Sequence, residues 1–164
     1  MNCEGSDTRL PLGKARRWIA ALERGIGDLD PAAAHAIMSR AAESCSQNLW
    51  LRCTQALGHE PASAHDLVQA WNEVRCEFGM DAHGLWTLDE HGARAEFSQC
   101  GCPLVRASVV QLQPQHCLCS QAMVEVIFSR ALGRPVHAVL GSAIGRGDET
   151  CRFQVTWQPQ QDGH

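Results

Sequence analysis

Residues 85–97 read Leu85-Trp86-Thr87-Leu88-Asp89-Glu90-His91-Gly92-Ala93-Arg94-Ala95-Glu96-Phe97, and here the chain changes its period. Two short runs flank a polar turn that ends in glycine, the pattern of a β-hairpin. The second of these strands runs on into Cys100. Everything before Gly79 repeats instead at three- and four-residue steps, the spacing of a helix with one apolar side.

On the N-terminal side, Leu12, Ala15, Ile19, Leu22, Ile26 and Leu29 form one apolar stripe, with Gly25 and Gly27 fraying its end. Asp30-Pro31 supplies an N-cap and a first-turn proline for a second helix that carries Ile37, Ala41 and Cys45 inward. A third helical stretch spans 47–57 and ends at Gly58 and the loop His59-Glu60-Pro61. Ser63-Ala64-His65-Asp66 is a capping box with aspartate in the usual glutamate position. Leu67, Trp71, Val74 and Phe78 make the stripe of the helix that follows, and Gly79 stops it.

On the C-terminal side, residues 104–112 are rich in valine and predict a strand. Ser120 predicts the cap of a helix bearing Met123, Val124, Ile127, Phe128 and Ala131, closed by Gly133 ahead of Pro135. A strand over 136–140 and a glycine-rich turn over 141–148 precede Cys151, Phe153, Val155 and Trp157, which alternate with polar residues as in a half-buried strand. The expected fold is α+β: a helical N-terminal half packed on an antiparallel sheet-plus-helix C-terminal half that holds a cysteine metal site. One domain is expected over 12–158, with a helical part at 12–80 and an α+β part at 81–158. Residues 1–11 and 159–164 are expected to be flexible ends.

Bulk properties narrow the function. The 164 residues are 45% hydrophobic and 20% charged, a soluble globular balance with room for a sizeable core. A formal net charge of −4 argues against direct nucleic-acid binding, which needs a basic face; the densest basic spot is Arg16-Arg17. No apolar run is long enough to span a membrane, and the N-terminus lacks a signal-peptide layout, so a cytoplasmic location is expected. In such a reducing compartment an odd count of nine cysteines points to metal or redox chemistry in place of a disulfide framework.

Five of those cysteines are the candidate metal ligands: Cys100, Cys102, Cys117, Cys119 and Cys151. Gly101 and Pro103 give the first pair a bend, the helix expected after Cys119 would lower the thiol pKa of the second, and Cys151 starts a strand. Sulfurs from a hairpin end, a helix start and a strand start suit a tetrahedral thiolate site, for Zn2+ or alternatively a [4Fe–4S] cluster. Cys45, Cys53 and Cys76 read as core packing, and His116, His83 and His91 as solvated loop histidines.

Cys117, the helix after it, Phe128-Ser-Arg-Ala-Leu-Gly133-Arg-Pro135-Val136 and Gly145-Arg-Gly147-Asp148-Glu-Thr-Cys151-Arg-Phe153 together resemble the 4-vinyl reductase domain family. That family includes the sensory modules of phenol- and xylene-responsive activators, a bacteriochlorophyll biosynthesis protein and methanogen redox regulators. The resemblance covers about a quarter of the chain. It implies a structural zinc held by cysteines and a glutamate beside a pocket for a small hydrophobic ligand. Its first cysteine falls on Cys117, its last on Cys151 and its glutamate near Glu96. Its middle cysteine would fall at about Ala143, leaving Cys100, Cys102 or Cys119 to replace it. A weaker similarity is to the small bacterial hydrolases of aminothiazoline carboxylate.

The expected function is accordingly a stand-alone, metal-binding sensor with an apolar pocket lined by Trp86, Phe97, Met123, Phe128 and Trp157. The alternative is a small cysteine- or metal-dependent hydrolase. A small hydrophobic molecule, a homodimer or a separate effector protein are the partners considered.

Overall fold

Asp30 starts the longest helix of the protein. Its Oδ1 accepts the N–H groups of Ala32 and Ala33, both at 3.0 Å, and Pro31 takes the first helical position. No glycine or proline follows until Gly58, so one helix runs through Pro31–Leu57 and stops where Gly58 turns left-handed at φ 77°. The expected second and third helices are therefore a single one. The computed structural model describes residues 12–77 and 84–157. Within them α1 is Leu12–Gly27, α2 is Pro31–Leu57 and α3 is Ala64–Glu77.

The buried side of α2 is Ala34, Met38, Ala42, Ser46, Trp50 and Cys53. Ile37, Ala41 and Cys45, expected inward, face solvent. The helix is turned by one residue from that expectation, which puts the large side chains of Met38 and Trp50 into the interior. In α3 half of the expected capping box forms: the Asp66 N–H donates to Ser63 Oγ, whereas Asp66 Oδ2 accepts from the N–H of Ala62, one residue before the cap, both at 3.1 Å. Leu67, Trp71 and Val74 are buried; Phe78, Gly79 and His83 lie outside the described residues. Asn72 of α3 pairs with the backbone entering the sheet as a strand would. Its Nδ2 donates to Trp86 O at 3.0 Å and its Oδ1 accepts the Trp86 N–H at 2.9 Å.

The hairpin forms β1, Thr87–Asp89, and β2, Gly92–Phe97, with Asp89 opposite Gly92. The strand expected over 104–112 does not form. Pro103 seeds the short α4, Pro103–Arg106, and the N–H groups of Val109 and Val110 both turn back to Leu104 O at 2.9 and 3.3 Å. The last long helix, α5, is Pro114–Leu132. It begins six residues before Ser120 because Pro114 fills the first helical position and Gln113 with His116 closes a capping box. Gly133 ends it at φ 63°, as expected.

β3, His137–Ser142, and β4, Cys151–Thr156, complete an antiparallel sheet in the order β1-β2-β4-β3. α5 packs on α2, α3, β3 and β4 and so joins the helices to the sheet. Alternation puts Ala93, Ala95, Phe97, Phe153, Val155, Ala138 and Leu140 on the inner face. Against them an aromatic cluster fills the layer: Trp86 lies 5.0 Å from Trp71, 5.1 Å from Phe128 and 5.9 Å from Phe153 between ring centres. The outer face is an open hollow of about 930 Å³, crossed by an ion pair between Arg152 and Glu96 at 3.1 Å. The α+β class holds as expected. Among the described residues no helix is long and apolar enough to cross a membrane.

Candidate functional site

The first candidate is a surface. α1 has no buried residue, although it carries the expected apolar stripe. Ala15, Ile19 and Ile26 are half-buried, while Trp18 is 65% exposed, Leu12 60% and Leu22 48%. At 100° per residue Trp18 and Leu22, with Leu29 in the following turn, sit on one shoulder of the stripe and Leu12 on the other, with the half-buried Ala15, Ile19 and Ile26 between them. Ile37 and Leu51 of α2 are also exposed. Scattered exposed leucines are ordinary, but a helix whose apolar stripe is only half used is an unfilled contact.

A polar clamp holds α1 in place. Gln115 Nε2 donates to Glu23 O at 2.9 Å, and His116 Nε2 lies 2.8 Å from Glu23 Oε1, with both side chains 13% exposed. The Gln113 N–H donates to His116 Nδ1 at 2.9 Å, so Nδ1 is the acceptor and Nε2–H the donor to the carboxylate. His116 is thus a helix-capping residue tied to α1, and not the solvated loop histidine the sequence suggests. Trp18 and the Glu23–His116 pair were missed in the sequence. The available signal was that the α1 stripe spans more arc than one neighbouring helix covers.

The second candidate is the thiol set. Cys100 lies just past β2, Cys102 caps α4, Cys117 and Cys119 are the fourth and sixth residues of α5, and Cys151 opens β4. Cys117 is buried and the other four are half-buried. They gather at one end of the fold, close enough for the charges of Cys102 and Cys151 to act on Cys100, and that of Cys151 on Cys117. They do not close on one point. Cys100 accepts from the Cys102 N–H, Cys117 from the Gly145 N–H and Cys151 from the Ile144 N–H at 3.4 Å. Burial pushes the Cys117 thiol up, opposite to the lowering expected of a helix start, because α5 begins earlier and this sulfur is buried; burial raises Cys100 as well. Glu96 points to the opposite, outer face, where Thr150 Oγ1 donates to it at 2.9 Å. Among the described residues no group of three or more His, Cys, Asp or Glu side chains could hold a metal ion.

The expected pocket residues belong to the aromatic layer. Trp86, Phe97 and Phe128 are buried there; Trp157 stacks on Phe128 at 6.1 Å, and Met123 packs at its margin. Cys53 is buried as expected, but Cys45 and Cys76 are exposed. Cys45 of α2 and Cys119 of α5 act on each other across the seam between the two helices. The neighbouring Cys119 thiol holds Cys45 below the ordinary thiol value against the effect of burial, while Cys45 and burial push Cys119 up.

The sign follows directly. A thiol held below its ordinary value keeps more of its reactive thiolate at pH 7 than a free cysteine does. Cys45 is therefore expected to alkylate faster than an ordinary cysteine peptide at pH 7, and by a larger ratio at pH 6. Site-resolved mass spectrometry with a haloacetamide checks this; a ratio that does not grow as pH falls contradicts it.

No protein-family model matches the chain, and no curated protein sequence matches it. In fold it is similar to the trafficking protein particle complex subunit 3 of Naegleria fowleri, solved covalently bound to palmitic acid. The TM-score is 0.57 and the identity 13%, over 90% of this chain and 95% of that one. The 4-vinyl reductase assignment is therefore corrected: the fold likeness is to a trafficking-complex subunit, and no family model supports the sequence resemblance. The metal-sensor reading and its hydrolase alternative are corrected too: among the described residues no group of side chains could hold a metal ion, and the fold likeness is to a trafficking-complex subunit.

Proposed function

We propose that this protein is a subunit of a protein assembly, docking through the uncovered shoulder of α1, with a second copy of the chain as its partner. The carrying observation is that α1 is fixed to the body by the Glu23–His116 clamp while Trp18 and Leu22, on one shoulder of its stripe, stay exposed. The fold neighbour's character as a complex subunit supports the reading.

Self-pairing is favoured by charge. The first half of α1 carries Lys14, Arg16 and Arg17, and the turn after it carries Asp28 and Asp30. Two copies of α1 laid antiparallel about a two-fold axis bring the basic half of each against the acidic end of the other. The same alignment stacks Trp18 and Leu22 near the axis, where contacts of a dimer carry most of their energy.

Sedimentation over a dilution series tests this. The wild-type protein is expected to run as a dimer that dissociates on dilution, and the Trp18→Glu/Leu22→Glu double variant as a monomer, its association weakened at least about 100-fold. A monomeric wild type, or a dimer indifferent to these two substitutions, would contradict the assignment.

A further inference from the structure

We infer that a hollow between α2 and α5 binds a small zwitterion of the α-amino-acid class, its carboxylate on Trp50 and Arg130 and its ammonium on Glu43. The hollow measures about 240 Å³. That is below the roughly 300–1,000 Å³ of a pocket for a drug-sized molecule, so its occupant is small. All its lining residues belong to α2 and α5, so it is separate from the docking surface on α1.

The α2 wall carries an unfilled donor. Trp50 is 5% exposed, and its indole N–H is buried with no hydrogen-bond partner among the described residues. A buried N–H left unpaired is destabilising, and an acceptor oxygen removes that penalty. Helical side chains lean toward the N-terminus, which lays the Trp50 ring along the part of the wall made by Ser46 and Gln47. Ser46 donates its own hydrogen to Glu43 O at 2.8 Å and does not receive the indole N–H.

From α5 a cation reaches the same ring: Arg130 Cζ lies 4.1 Å from the centre of Trp50. A carboxylate is the acceptor that serves an indole N–H and a guanidinium together. Glu43 supplies the opposite charge from α2. Each charged residue is tied by an exposed ion pair, Arg130 to Glu60 at 3.2 Å and Glu43 to Arg40 at 3.3 Å. Such pairs are weak and yield to a ligand that offers a better-desolvated partner. Val126 and Ile127 make the remaining wall apolar, which suits a short aliphatic side chain.

The full-length protein, labelled with nitrogen-15, is titrated with L-alanine while its indole N–H signals are followed by NMR, the Trp50 signal being assigned by triple-resonance spectra. That signal is expected to move and to saturate in the millimolar range. N-acetyl-L-alanine lacks the ammonium and L-alanine methyl ester lacks the carboxylate, so each is expected to bind at least about tenfold more weakly. Arg130→Gln and Glu43→Gln are each expected to weaken L-alanine about tenfold while melting within a few degrees of wild type by circular dichroism. A Trp50 signal that stays in place up to about 50 millimolar L-alanine, one that moves equally with all three compounds, or an Arg130→Gln variant that binds as wild type does, would overturn the proposal.

Discussion

Gly92→Ala is expected to destabilise the protein by about 3 kcal/mol or more, lowering its thermal midpoint by about 10 °C. Gly92 opens β2 and faces Asp89 across the hairpin and Thr156 across the ladder to β4. A methyl group there lands on the Val155 carbonyl oxygen, well inside van der Waals contact, and 3.1 Å from the Val155 carbonyl carbon. Both atoms are backbone, so neither can swing aside as a side chain would. The ladder between β2 and β4 must open, and with it the centre of a four-stranded sheet. Gly145 makes the useful contrast. An added methyl there meets Cys117 Sγ at 2.7 Å, a side-chain atom with a rotamer to change, but also Gln113 O at 3.0 Å. Its substitution is expected to cost less than that at Gly92. A wild-type-like melt for Gly92→Ala, followed by circular dichroism, would mean that β2 and β4 are not spaced as described.

Phe128→Ala is expected to cost about 3–5 kcal/mol, a large share of the 5–15 kcal/mol that holds a typical domain together. Phe128 is fully buried on α5, with Trp86 edge-on at 5.1 Å, Trp71 at 6.1 Å and Trp157 stacked at 6.1 Å between ring centres. These rings come from α3, from the segment entering β1 and from the end of β4, so the cavity left behind sits where the helical layer meets the sheet. Trp71 and Trp86 are large and held by their own neighbours, which limits how far they can close it. Trp157→Ala is expected to cost less, because that ring is only half-buried. Urea denaturation of the two variants checks the order; equal losses would contradict the central place given to Phe128.

The sequence was most legible where one local rule decides the outcome. The Ser63 cap, the Asp30-Pro31 start, the Gly58 and Gly133 stops and the alternation through Phe153 and Val155 each follow from the bonding needs of a few adjacent atoms. It was least legible where the outcome depends on a distant partner. Residues 104–112 have strand composition but no free strand to pair with, so Val109 and Val110 bond back to Leu104. The rotation of α2 by one residue depends on which of its faces α3 and α5 cover, which its own periodicity does not encode. Ser120 is a good cap by type, but Pro114 and Gln113 lie upstream and capture the start of the helix.

The thiols divide in the same way. Their arrival at one end of the fold was foreseeable, since a hairpin end, a helix start and a strand start meet there. What each sulfur does on arrival was not, because backbone N–H groups of the turns around Ile144 and Cys102 occupy them one by one. Cys45 was hidden for a simpler reason: a helical cysteine next to a small-residue row reads as core, and only the rotation of α2 brings it to the surface. Trp18 was hidden because periodicity marks an apolar stripe without saying how much of it the protein itself covers.

Docking through α1 is tested most directly by hydrogen–deuterium exchange of the wild-type protein at low and high concentration. Pairing of two copies predicts that amides of α1, Leu12–Gly27, exchange more slowly as concentration rises from below a micromolar to about 100 micromolar, while those of α5 are unchanged. The Trp18→Glu/Leu22→Glu variant is expected to show no such slowing. Exchange in α1 that is the same at both concentrations in the wild type, in a protein that sediments as a monomer throughout, would contradict the account.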